Sequence, residues 1–72
     1  MSLHKSTFEY LEPTLDQKAS MQIMRDAAKA YAHTIEQLLP EGPDKTFIIR
    51  NIRQTAMWCN VTLTRHPDGS PR

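Results

Sequence analysis

The side chains in this 72-residue chain that are suited to covalent or acid–base chemistry are few and scattered. Cys59 stands alone, and His4, His33 and His66 have no partner at a one-turn ligand spacing that would build a metal site with it. No nucleophile–base pair and no phosphate-cradling glycine loop is present, so an enzyme is the least supported class and no cofactor is expected. The cations offer more. Arg50, Arg53 and Arg65 recur on one segment, which would suit a helix reading long nucleic acid. A formal net charge of +1 argues against that use, because duplex binding draws its affinity from a basic surface that displaces counterions. The same charge still allows a small anionic ligand held by a few well-placed arginines. On residue type and position alone, Tyr10 reads as a packing residue of a terminal segment. Arg25 reads as a solvated helix residue bonded to polar groups beside Met21 or Asp26, and Trp58 as interface core. Met21, Met24 and Met57 read as gap-filling apolar residues and Cys59 as a small buried one.

These residues must be carried by two long helices and little else. Residues 1–13 mix polar groups with Phe8, Tyr10 and Leu11 without helical periodicity and are expected to form an extended arm. Glu12 precedes Pro13 and is biased toward extended geometry. Thr14-Leu15-Asp16-Gln17 has the form of a capping box and predicts a helix over about 14–39. Met21, Met24, Ala28, Tyr31, Ile35 and Leu38 recur at spacings of three and four, which places them on one side of that helix. Lys18, Arg25, Asp26, Lys29 and Glu36 carry mixed charge on the other. Pro40, Gly42 and Pro43 break the helix, and Pro43 with Asp44 suits the first turn of a second helix over about 43–65. Ile49, Ile52, Ala56, Cys59 and Leu63 form its main stripe, able to pack antiparallel against the first. Residues 66–72 are polar and rich in helix breakers, and are expected to be disordered.

The predicted architecture is therefore all-α: an antiparallel two-helix hairpin over 14–65 with an N-terminal arm. Two helices have one interface, and chains this short rarely reach adequate stability from a single core. One cysteine leaves no internal disulfide. Phe47, Ile48, Met57, Trp58 and Val61 lie off the main stripe, and an apolar surface on a second face calls for a second partner. Homo-oligomerisation is the expected remedy. No apolar run approaches the roughly 20 residues needed to span a bilayer, and nothing resembles a secretory signal, so a reducing cytoplasm and no membrane partner are expected.

The order of residues also carries a family resemblance. Phe8-Glu9-Tyr10, Pro13, Arg25, Ala28, Ala32, Ile35, Leu38 and Pro40 are followed by Asp44-Lys45-Thr46, Ile52, Ala56-Met57-Trp58, Asn60 and Arg65. This pattern resembles the phage anti-CBASS cyclic-nucleotide sponge family, whose hairpin is shared with Thoeris anti-defence proteins. It covers about Phe8 to Arg65, and Met57-Trp58-x-Asn60 with the downstream Arg65 is its most specific element. The resemblance implies a non-enzymatic homohexamer, a trimer of dimers, encoded by phage or prophage. In the host cytoplasm it would bind cyclic oligonucleotide second messengers and withhold them from bacterial effectors. Carried onto this chain, the cyclic dinucleotide site uses Tyr10, Arg25 and Lys29. Arg25 stands where the best-studied members look to have lysine.

A two-fold dimer would supply each of these side chains twice, matching a cyclic dinucleotide's two bases and two phosphates. Tyr10 would stack on a base and Arg25 would hold a phosphate by charge-assisted bonds. The arm would be mobile and close like a lid, at some cost in ordering entropy. A cyclic trinucleotide would take a three-fold junction, with Asn60 and Arg65 as weaker candidates. The alternative without the family is a helical hairpin that docks on another protein and has no nucleotide ligand.

Overall fold

The computed structural model of the protein describes residues 2–72; the first residue of the expected arm, Met1, lies outside them. It contains helix α1, Leu15–Leu38, and helix α2, Pro43–Thr64, packed as a hairpin. The all-helical expectation holds, with boundaries shifted inward by one residue at three of the four ends. The capping box closes as its sequence requires. The Gln17 amide donates to Thr14 Oγ1 at 3.1 Å, and the Thr14 amide donates to Gln17 Oε1 at 2.9 Å. At the turn, Gly42 is the N-cap of α2 with φ +155°, a backbone value that side chains rarely adopt. Pro43 follows in the first turn, where the missing N–H costs nothing.

The molecule measures 44 × 28 × 16 Å. Its thinnest dimension is little more than one helix with its side chains, so no second layer exists to cover the outer faces. The α1 seam divides accordingly. Met21, Ala28 and Ile35, seven residues apart, turn toward α2, and Ile35 at 5% exposure is the one buried hydrophobic residue among those described. Met24, Tyr31 and Leu38, also seven apart, are exposed at 42%, 62% and 75%. The predicted stripe of α2, Ile49, Ile52, Ala56, Cys59 and Leu63, is half-buried throughout. Of the residues expected off that stripe, Phe47, Met57, Trp58 and Val61 are exposed, and only Ile48 is half-buried.

Two expectations about the ends are corrected. Residues 66–72 are not disordered: the chain reverses through a turn in which the Gly69 amide donates to the His66 carbonyl and the His66 amide to the Ser70 carbonyl. Asp68 Oδ1 accepts from both the Ser70 amide, at 3.0 Å, and the Ser70 hydroxyl, at 2.7 Å. These bonds hold the Asp68 carboxyl below its ordinary range, the hydroxyl contributing most. Breaker-rich composition signals a turn here, and the side chains of Asp68 and Ser70 are what fix it. The first part of the arm is likewise not extended. It coils through turns closed by Thr7 N–H to the His4 carbonyl and Glu9 N–H to the Ser6 carbonyl, each at 3.0 Å.

The tail also completes α2. The last four carbonyls of a helix have no partner within it. Here Val61 accepts from the Arg65 amide, Thr62 from Arg72 Nε, Leu63 from Gln17 Nε2 and Thr64 from the Arg72 amide. Gln17 thus caps the start of α1 and ties it to the end of α2.

Candidate functional site

Tyr10 lies just before α1, 83% exposed, and its hydroxyl donates to Glu12 Oε2. Glu12 Oε1 pairs with Lys18 Nζ at 2.8 Å. The three groups perturb one another in the direction their bonds dictate. Donation to Glu12 raises the Tyr10 pKa. The hydrogen bond from Lys18, and then that from Tyr10, lowers the Glu12 pKa, and the bond to Glu12 raises that of Lys18. The phenol is therefore latched to the first turn of α1.

Lys18 begins a line of polar side chains. Residues 18, 22, 25 and 29 are spaced by four, three and four, so Lys18, Gln22, Arg25 and Lys29 share one helix face. Arg25 lies two turns beyond Lys18, roughly 10 Å along the axis. Arg25 Nη1 donates to Gln22 Oε1 at 3.1 Å, and Gln22 Nε2 donates to Asp26 Oδ1 at 2.8 Å. Within the chain Arg25 thus occupies the solvated position expected from its residue type and place on the helix. Among the described residues, the ion pairs are Lys18–Glu12 and Lys45–Glu41, and neither involves Arg25 or Lys29. Lys29 borders an open groove of about 630 Å³ with Asp26, Ala30, Ala32, His33 and Glu36. The structure brings Tyr10 to the head of a basic stripe and places Arg25 and Lys29 further along it.

The second predicted pair behaves differently. Arg65 caps α2, and its guanidinium turns inward across the termini. Nη1 donates to the Gly69 carbonyl at 2.7 Å and to Ser6 Oγ at 3.4 Å, while Nη2 donates to the Glu9 carbonyl at 2.6 Å. Three of the five donors that a guanidinium carries are thereby used within the chain. Asn60, half-buried near the end of α2, lends its backbone carbonyl to the Thr64 hydroxyl at 3.1 Å. Among the described residues, no hydrogen bond joins the Asn60 side chain to Arg65.

An apolar surface that the sequence suggests only in outline is continuous in the structure. A groove of about 440 Å³ between the helices is lined by Met24, Ala28, Tyr31, Ile52, Ala56 and Cys59 among others. It shares Met24, Thr55 and Cys59 with a second opening of about 330 Å³ that Trp58 and Leu63 flank. The sequence signal for it is the apolar surplus off the main α2 stripe, Met57, Trp58 and Val61, while the spacing of Met24 and Tyr31 does not set them apart from the covered residues.

Among the described residues, no three His, Cys, Asp or Glu side chains converge as a metal site would require, and no helix is long and apolar enough to cross a membrane. In comparisons with known proteins, no family model, curated protein or solved structure matches the chain.

Proposed function

We propose that this protein assembles through its apolar face into a homo-oligomer, a hexamer built as a trimer of dimers, and sequesters cyclic dinucleotides between protomers. Cyclic GMP-AMP is representative of the class. The observation that carries the reading is the alignment of Tyr10 with the Lys18–Arg25–Lys29 face of α1. Across a two-fold axis two such faces supply two exposed phenols for stacking and paired cations for two phosphates. Arg25 releases only a neutral amide to engage a phosphate, a favourable exchange because its bond to an anion is the stronger one. Sequestration needs slow release and no turnover, and the family resemblance implies a phage inhibitor of CBASS-type defence acting in the bacterial cytoplasm. Asn60 and Arg65 hold no trinucleotide in this assembly, because the Arg65 guanidinium is engaged within the protomer.

Equilibrium dialysis against cyclic GMP-AMP, followed by heat denaturation and chemical analysis of what is released, tests the proposal. Retention by the wild type, markedly weaker retention in Tyr10→Ala and in Arg25→Ala, and recovery of unaltered ligand are expected. A second reading, a hairpin that docks on another protein, is favoured by the exposed groove from Tyr31 to Trp58. It predicts no retention of the nucleotide and a mass that stays monomeric until the partner is added.

A further inference from the structure

The arm that bears Tyr10 is held at Glu9 by a residue 56 positions away in sequence. Arg65 Nη2 grips the carbonyl of Glu9, which belongs to the peptide bond joining Glu9 to Tyr10. The same guanidinium reaches Ser6 Oγ in the arm's first turn and the Gly69 carbonyl in the C-terminal turn. The arm and tail also meet directly. The His4 amide donates to the Asp68 carbonyl at 2.6 Å, and Gly69, with φ +91°, lies buried against Thr7. A Cβ at position 69 would overlap Thr7 Oγ1 and sit 3.1 Å from Thr7 Cβ.

Tyr10 is thus fixed at two points: its peptide by Arg65 and its hydroxyl by Glu12. We infer that Arg65 and the 66–70 turn form a clasp that pre-orients Tyr10 before any ligand arrives, making Arg65 a positioning residue. The inference rests on the proposed nucleotide site for its consequence, and on geometry alone for the clasp. It replaces the picture of a mobile lid. An arm ordered in advance loses less entropy on binding, so affinity depends on residues that do not touch the ligand. A guanidinium suits the task because its donors fan out in a fixed plane toward acceptors on separate segments, which a single ammonium cannot reach together.

The test uses the full-length chain, with Arg65→Ala and Gly69→Ala made separately. The second perturbs the clasp with the Arg65 side chain still present and serves if the first disturbs α2, which helical circular dichroism reports. Without ligand, nitrogen-15 relaxation of the Tyr10 and Leu11 amides is expected to show fast motion in both variants and rigidity in the wild type. Equal rigidity in all three overturns the clasp, whatever the ligand results. With cyclic GMP-AMP as probe, Arg65→Ala is expected to weaken binding roughly tenfold, the scale of one lost stacking contact. In a Tyr10→Ala background the same substitution is expected to have no further effect, since a residue acting through Tyr10 cannot act in its absence. An undiminished Arg65 effect in that background would mean direct ligand contact and overturn the positioning role. If the wild type binds no cyclic dinucleotide, the functional proposal fails, and the relaxation data alone decide the clasp.

Discussion

The two helix C-termini face one electrostatic problem and solve it in different surroundings. Neither α1 nor α2 has a basic residue in its last turn to offset the negative end of its dipole. Each receives a cation from elsewhere in the chain. At α1, Lys45 reaches back from the first turn of α2, and Nζ donates to the Glu36 carbonyl at 2.8 Å and to Glu41 Oε1 at 2.5 Å. At α2, Arg72 returns from the tail, and Nε points at the Thr62 and Arg65 carbonyls at 2.6 and 2.8 Å. Lys45 is buried at 8% exposure, whereas Arg72 is exposed. The turn end is closed by a short covalent connection and one desolvated cation. The open end has no such connection and is closed by several hydrogen bonds, part-buried from Gln17 and Arg65 and exposed from Arg72, and this is the end that carries Tyr10.

That contrast makes Lys45→Met more damaging than Arg72→Gln at the open end. Methionine keeps the apolar stem but leaves the Glu36 carbonyl in a part-buried site without its charged donor. A loss of about 1–2 kcal/mol is expected, read as a lower denaturant midpoint. The loss should persist at high salt, because a buried interaction is little screened. Arg72→Gln should cost less, and most of its effect should vanish in high salt. If the two substitutions respond to salt alike, the distinction between the ends fails.

The smallest effect concerns the Tyr10 latch. Glu12 is ionised more readily than usual because Lys18 and Tyr10 bond its carboxylate, so its folded-state pKa lies below the ordinary value of 4.5. Stabilisation from this group is present above that ordinary value and is lost as pH falls through the lowered one. Tyr10 ring resonances are therefore expected to shift with a midpoint below 4.5, and Glu12→Gln should abolish the step. An unchanged titration in that variant would assign the shift to another acid.

Much of this fold is legible in the sequence because local rules agree with one another. Thr14 with Gln17, Gly42 with Pro43 and the α2 stripe each specify a neighbour a few residues away. The terminal regions escape such rules for a definite reason. The bonds from Arg65 to Glu9, from His4 to Asp68 and from Gln17 to Leu63 join residues more than forty positions apart, and neither composition nor periodicity encodes such pairs. A spacing rule places Lys18 and Arg25 on one face, but nothing in it joins Tyr10 to that face, since the link runs through Glu12. The split of the α1 seam into covered and uncovered halves is similarly hidden. Heptad spacing names both sets of residues alike, and only the absence of a second layer leaves Met24, Tyr31 and Leu38 outside.

The most direct measurement is a thermal-shift panel on the purified wild-type chain, comparing cyclic GMP-AMP with its linear counterpart at equal concentration. Binding between protomers predicts a large upward shift with the cyclic ligand alone, since about a hundredfold excess over the dissociation constant adds ~2.7 kcal/mol to the folded state. An identical melting temperature with and without cyclic ligands would contradict sequestration and leave the exposed groove to a protein partner.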